Sequence, residues 1–436
     1  MAASHKWNLH DFLANSNKGL YSKLELSSDQ DNFLKSLRKL ARERIKEVFN
    51  EVQDVFKSIK ISPDVDTHNF LRQQIKFKKS FRHVDGNILD TLVNLVSNLN
   101  NQQRIEFLKI QPRFRTQGSF NYKTLNAPYR TPPQEMDIDD GVYFPMKMFE
   151  NAPALAHKLM IALVDAALQS LAAENVGWKF DATKPTCSRL RVPSKNTHLD
   201  VPMYATPEEK FVLIKSSLES HQSTAVLSIN EDFLQLREHI LDKDSILLAR
   251  RDRDKWQKSD PQVVQQWFKK SVDDIGEHAR LACRFLKGWR DATWINGGGP
   301  SSIALMKCVV DTLGSSLLDG KDLGLIMQAV ACNLPKQLNA GVVSPDDSDE
   351  KPLFPSMINQ NDSQRAIVVA AQSFANNLNA AFVAGTKEEA HRILCIIFGE
   401  RGTDSNCIKT ILAAPVYSQP AKVSEPARIE DTMTSG

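Results

Sequence analysis

Apolar residues at Phe33, Leu34, Leu37, Leu40, Ile45, Val48, Phe49, Val52, Phe56 and Ile59 recur with the 3.6-residue period of a helix face. The spacing predicts one long amphipathic helix starting at Ser28, where Ser28 and Asp31 stand in a capping-box arrangement with a shorter acid. Such a helix could run the height of a two-lobed molecule. A looser helical pattern covers Ile88 to Leu108, and the Ala- and Leu-rich run from Ala154 to Glu174 reads as a core helix. Between them, Gly118, Pro128, Pro132 and Pro133 exclude a continuous helix from Gln117 to Tyr143, leaving loop and strand. Two short strands, about 187–192 and 197–204, flank the turn Pro193-Ser194-Lys195-Asn196 and extend the sheet begun near Asp137. From about residue 260 the pattern is almost wholly helical. Ser259-Asp260-Pro261 starts one helix, and Thr386-x-x-Glu389 caps another that Gly399 ends.

The predicted architecture is an α+β lobe with a small mixed sheet over residues 1–258, a helical lobe over 259–414 and a flexible tail over 415–436. A cleft between the lobes is the natural ligand site. A chain of 436 residues exceeds what one hydrophobic core usually covers. A net charge of +3 does not describe a protein that coats nucleic acid. The six cysteines form no Cys-x-x-Cys pair and read as buried thiols in a reducing compartment. The first twenty residues lack an apolar segment, and Gln372, Asn376 and Asn379 interrupt the longest uncharged run. A cytoplasmic protein without a membrane span is expected.

The chemistry concentrates in Gln134-Glu135-Met136-Asp137-Ile138-Asp139-Asp140-Gly141, which follows a Gly118-Ser119 turn. On a strand, Asp137 and Asp139 point to one face and Ile138 to the other. Two such charges at ~4 Å repel by about 4 kcal/mol at an effective dielectric near 20. A hard divalent cation, Mg²⁺ or Mn²⁺, would remove that repulsion. An EF-hand loop does not fit, because Gly141 falls at the fifth position from Asp137 and Met148 replaces the bidentate glutamate. Asp140 points to the opposite face and reads as structural. Thr197-His198-Leu199-Asp200-Val201 supplies a third carboxylate, with His198 on the same face as a scaffold residue. Three carboxylates beside a Gly-Ser turn suit two-metal nucleotidyl transfer, with Gly118 allowing close approach and Ser119 bonding phosphate oxygens.

The strings Thr116-Gln117-Gly118-Ser119-Phe120, Gln134 to Gly141, Thr197 to Tyr204 and Gly298-Gly299-Pro300-Ser301-Ser302 resemble the polymerase-β-like nucleotidyltransferases. Within them the chain is similar, over essentially its whole length, to the bacterial cGAS/DncV-like nucleotidyltransferases (CD-NTases). That resemblance implies a nucleotidyltransferase lobe followed by a helical lobe. Asp137, Asp139 and Asp200 match the family's catalytic, metal-binding aspartates, and Gln117, Gly118 and Ser119 match its triphosphate turn. Lys287 and Ser302 match nucleotide contacts, and Asp349 matches a base-recognising aspartate. Arg38, Arg42 and Arg44 match part of a basic cluster that binds a folate-like inhibitor, with Arg115 replacing an aromatic residue. Gly436 matches a terminal glycine joined to targets by a ubiquitin-transfer-like partner. The implied activity is Mg²⁺-dependent joining of ATP and GTP into 3′,3′-cyclic GMP-AMP, which activates a separate effector in antiphage defence. A template-independent transferase making linear oligonucleotides and a non-catalytic nucleotide sensor are the competing readings.

Overall fold

The computed structural model describes residues 5–58, 67–145, 153–207, 246–252, 256–316, 318–347, 351–401 and 404–411. The long helix spans Ser28–Ser58. Its cap lies one residue earlier than expected. Ser27 Oγ accepts from the Gln30 N–H at 3.2 Å, and Gln30 Oε1 accepts from the Ser27 N–H at 2.9 Å. The longer glutamine side chain reaches back to the cap, completing the reciprocal box. Leu34, Leu37, Ala41, Ile45, Val48, Phe49, Val52, Val55 and Phe56 form the buried stripe. Leu40, at 37% exposure, falls off it. Ile59 lies outside the described residues. The stripe shares one core with the helix Pro153–Glu174 and the sheet, so the long helix serves one lobe instead of spanning both. The Ile88–Leu108 stretch divides into Gly86–Ser97 and Asn101–Lys109, because an Asn100–Gln103 capping box starts a new helix.

Met136–Pro145 is the strand around which the site is built. It pairs antiparallel with Arg113–Gln117 and parallel with both Thr197–Val201 and Met203–Thr206. The strand expected over 197–204 is thus interrupted at Pro202, which has no N–H for the ladder. Its carbonyl still accepts from the Val142 N–H at 2.9 Å. Ser188–Val192 returns antiparallel beside Thr197–Val201 and sets Arg189 opposite Asp200.

Alternation sorts the central strand. Met136, Ile138, Val142 and Phe144 enter the core under the long helix, and Asp137 and Asp139 face the other way. Asp140 shares the core face and is 2% exposed. Arg42 of the long helix compensates it, donating Nε at 2.6 Å and Nη2 at 2.5 Å to the two carboxylate oxygens. Thr116 Oγ1 adds a third bond at 3.0 Å.

The helical lobe contains Pro261–Ile275, Glu277–Thr293, Ser302–Gly314, Leu323–Ala340, Asp362–Val383 and Lys387–Phe398. Asp260 caps the first of these with proline at the next position, and Thr386 caps the last, which ends at Gly399 with φ +64°. The start of the chain belongs here as well. Trp7–Asn8 pairs with Lys409–Thr410, and Leu9, Phe12, Leu13, Leu20 and Leu24 are buried among the C-terminal helices. The 1–258 boundary is corrected accordingly: residues 7–24 pack with the helical lobe, a contact between chain ends that local periodicity does not encode. The tail expected from residue 415 lies outside the described residues.

Replacing Arg42 with alanine leaves the Asp140 carboxylate buried with Thr116 alone. The loss of unfolding free energy is expected to be about 3 kcal/mol, the scale for stripping one partner from a buried ion pair. Urea denaturation of Arg42→Ala against the parent measures it.

Candidate active site

Strand register assembles the acidic site. Asp137 lies beside His198 and Asp139 beside Asp200 in the parallel pair, so all four side chains share one face. Gly118 follows the strand Arg113–Gln117 at φ +65°, and a β-carbon there would sit 2.0 Å from Asp139 Oδ2. Glycine at this turn therefore makes room for the Asp139 carboxylate itself, a tighter constraint than the phosphate approach expected from sequence. The donor atoms that converge most closely belong to Asp137, His198 and Asp200, all within 4.8 Å of one another. Asp139 adjoins this group from the same strand face, with its carboxylate packed against the Gly118 turn.

Cations already surround these acids. Asp200, 4% exposed, accepts from Arg189 Nε at 2.5 Å and Nη2 at 2.8 Å, and from Lys184 Nζ at 2.8 Å. Burial alone would raise its pKa, but these partners outweigh burial and hold it at about 2. Asp139 shifts the other way. Desolvation, followed by the charges of Asp137 and Asp200, pushes it well above the usual carboxylate range. His198 Nδ1 lies 2.8 Å from Glu135 Oε2, and its Nε2 stands 3.0 Å from Asp137 Oδ1. Burial lowers the His198 pKa, yet the Asp137 carboxylate outweighs it and the net shift is upward. The Asp137 Oδ1 and His198 Nε2 atoms are buried and sit at ion-pair distance without hydrogen-bond geometry. That oxygen-rich set, with ligand atoms left over, fits a hard divalent cation.

The acids open onto a cleft of about 760 Å³ including its mouth. One wall comes from the first lobe (Ser119, Leu125, Pro128, Asp137) and the other from the helical lobe (Lys287, Arg290, Trp294, Ser302). The loop between them ties the lobes together. Asn126 Nδ2 donates to the Arg284 carbonyl at 2.8 Å, and Gln134 Nε2 donates to the Asp291 carbonyl at 2.7 Å. Lys287 is 4% exposed and donates to the Thr124 carbonyl at 2.7 Å. Desolvation, reinforced by Arg290, lowers its pKa to about 8. Arg290 is oriented by Asp291 at 2.9 Å and donates Nη1 to Ser302 Oγ at 2.8 Å. Ser301, not Ser302, caps the helix Ser302–Gly314, which leaves the Ser302 hydroxyl in the cleft.

Of the residues singled out from sequence, Ser119, Asp137, Lys287 and Ser302 line the cleft, and Asp139 and Asp200 stand on the same sheet face as Asp137. The Gln117 side chain is held within the sheet, below the turn it precedes. Its Nε2 donates to Tyr143 Oη at 2.8 Å and its Oε1 accepts from Tyr204 at 3.2 Å, a buried network no motif announces. Asp349 and Gly436 lie outside the described residues. The basic cluster on the long helix does not hold together. Arg38 and Arg42 bond Thr116 at 2.8 and 3.1 Å. Arg44, six residues on from Arg38 and off its face, pairs with Glu174 at 2.6 Å. Sequence reasoning missed Arg189, Lys184, Arg290 and Trp294. Arg189 was legible, since a hairpin pairing Val192 with Thr197 necessarily sets Arg189 opposite Asp200.

A lysine whose folded pKa is depressed binds fewer protons than the unfolded chain between pH 8 and 10.5. Its destabilising contribution is therefore complete below pH 8 and fades as pH rises through that window. The parent is expected to gain about 3 kcal/mol of stability from this group between pH 7 and 10.5, and Lys287→Met is expected to lose that pH dependence, read from urea unfolding at several pH values.

Residues 112–204 match the family described as "Cyclic GMP-AMP synthase DncV-like, nucleotidyltransferase domain", and residues 276–411 match "Cyclic GMP-AMP synthase, C-terminal domain". A cyclic GMP-AMP synthase of Vibrio cholerae is 41% identical over 438 residues, covering 99% of each chain. One from Escherichia coli strain TW11681 is 40% identical over 439 residues, covering 99% of this chain and all of the relative. The crystal structure of Vibrio cholerae DncV with the linear intermediate 5′ pppA(3′,5′)pG superposes with TM-score 0.83 at 40% identity, covering 94% of this chain and 100% of that one. A DncV structure with GTP and 5MTHFGLU2 gives TM-score 0.84 at the same identity and coverage. By sequence over its whole length and by fold, the chain belongs to the DncV-like cyclic GMP-AMP synthases and is a nucleotidyltransferase.

Proposed function

We propose that the protein joins ATP and GTP into 3′,3′-cyclic GMP-AMP in two successive transfers. In each, a ribose 3′-oxygen forms a bond to an α-phosphorus while the bond to pyrophosphate breaks. Two pyrophosphates leave per cyclic product. The observation that carries the reading is the acidic face of Asp137, Asp139 and Asp200 beside a cleft whose far wall presents Lys287, Arg290 and Ser302. The Vibrio cholerae relative crystallised with ATP and GTP, and with a linear pppA(3′,5′)pG intermediate, supports the same order of events here.

Asp137, Asp139 and Asp200 would hold divalent ions, Mg²⁺ in the cell. Bound there, such ions acidify the attacking hydroxyl and neutralise the triphosphate. The chain's own groups do the positioning. Gly118 seats the Asp139 carboxylate against the turn. Ser119 offers a hydroxyl to phosphate oxygens. Lys287, with a pKa of about 8, is mainly a cation at pH 7 and attracts the triphosphate from a site with little water. Arg290 is pre-aimed by Asp291, so its orientation costs little at binding. His198, braced by Glu135, sets a ring nitrogen at ion-pair distance from the Asp137 carboxylate. We further assign Asp349 to base recognition and Gly436 to conjugation by a ubiquitin-transfer-like partner. The product would activate a separate effector in cytoplasmic antiphage signalling.

Incubation with ATP, GTP and Mg²⁺, phosphatase treatment and mass spectrometry test the assignment. A phosphatase-resistant mixed cyclic dinucleotide is expected. The Asp137→Asn/Asp139→Asn double variant should lose about a thousandfold in rate, equivalent to about 4 kcal/mol of transition-state stabilisation. A linear, phosphatase-sensitive product would make the enzyme an oligonucleotide transferase, and an equally active double variant would end the catalytic assignment.

A further inference from the structure

The cleft supplies charge for phosphates from several sides, but a nucleotide also carries a flat, largely apolar base. Among the described residues lining the cleft, Trp294 is the aromatic one. It ends the helix Glu277–Thr293, and its N–H still donates to the Arg290 carbonyl at 2.9 Å. The indole is wedged from two sides. Trp289 meets it edge-on, with ring centroids 5.3 Å apart and planes at 82°. On another side lies Gly299, where a β-carbon would stand 2.7 Å from the indole Cε3 and 2.8 Å from Cδ2. Only glycine permits that approach, and the φ of +76° at Gly299 independently favours it. Gly297, Gly298 and Gly299 all have positive φ, and of the three Gly299 packs tightly on this ring and the Arg290 stem while Gly298 touches the ring at ordinary contact distance. Leu125 and Pro128 of the first lobe also line this cleft and bring apolar surface to it.

Building on the synthase reading above, we propose that Trp294 is the stacking platform for a purine base of one of the two substrate nucleotides. Its ring is immobilised before binding, so the stacking energy is not spent on ordering a side chain. Leu125 and Pro128 add apolar surface for the base. Arg290, one helical turn earlier, reaches the phosphates of the same nucleotide. The Gly-rich turn thereby has a function: it holds the platform at the right depth. A purely structural reading would make Trp294 a lid on the helical core, against which it also packs.

Calorimetry with Mg²⁺ and α,β-nonhydrolysable ATP and GTP analogues distinguishes these readings, with inorganic tripolyphosphate as a baseless probe. Trp294→Leu is expected to weaken binding of one nucleotide analogue by about 5- to 150-fold, the range for losing one base–aromatic stack. Trp294→Phe should keep most of the affinity, and tripolyphosphate affinity should stay at the parent value in both. Gly299→Ala, which displaces the indole without deleting it, should reproduce the base-specific loss and carries the test should Trp294→Leu fail to fold. Unchanged affinity for both analogues, or an equal loss for tripolyphosphate, would overturn the proposal. A parent protein that binds neither analogue would instead remove the synthase reading on which the proposal rests.

Discussion

The site depends on one pairing register. Because Asp139 lies level with Asp200 and Asp137 level with His198 on adjacent parallel strands, their side chains emerge together on one face. A shift of one residue in either strand would send one set into the hydrophobic core and scatter the site. The register is held from below. Ile138, Leu199, Val142 and Met203 are buried in the core under the long helix, and Arg42 locks the same strand through Asp140. Concentrating negative charge above is tolerated because the neighbouring hairpin strand delivers Arg189 opposite Asp200.

The same logic runs through the cleft: charge is buried where function needs it, and packing elsewhere supports the cost. Lys287 sits almost dry with its pKa pulled down to about 8. Desolvation and the charges of Asp137 and Asp200 drive Asp139 upward, while Asp200 is held ionised. Neighbouring carboxylates with divergent titration are what a cluster awaiting multivalent cations and phosphates would show. The loop from Gly118 to Gln134 couples this chemistry to architecture. It forms one cleft wall and also hydrogen-bonds across to Arg284, Lys287 and Asp291, so site geometry and lobe packing stand or fall together.

Much of this was legible in the sequence, for local reasons. The Asp-x-Asp spacing, the Gly-Ser turn and the third aspartate in a hairpin strand obey period-two geometry, which the structure retains. The hairpin even encoded Arg189, had its register been counted. What escaped was non-local. The engagement of Gln117 with Tyr143 and Tyr204 depends on three strands meeting. The docking of Leu9 to Leu24 into the C-terminal helices joins chain ends more than two hundred residues apart. Arg38, Arg42 and Arg44 lie close along the chain, yet a helix rotates about 100° per residue: Arg38 and Arg42 both reach Thr116, Arg42 also pairs with Asp140, and Arg44 turns away to Glu174. Ser27 displaced Ser28 as the cap because glutamine, not aspartate, is long enough to return the bond.

The most direct measurement is a crystal structure of the protein with Mn²⁺ and a nonhydrolysable GTP analogue, read by anomalous scattering at the manganese edge. The account predicts manganese peaks ligated by carboxylates of Asp137, Asp139 and Asp200, with Asp200 drawn out of its contact with Lys184. Peaks elsewhere in the cleft, with Asp200 still bound by both Arg189 and Lys184 and contributing no ligand, would contradict it.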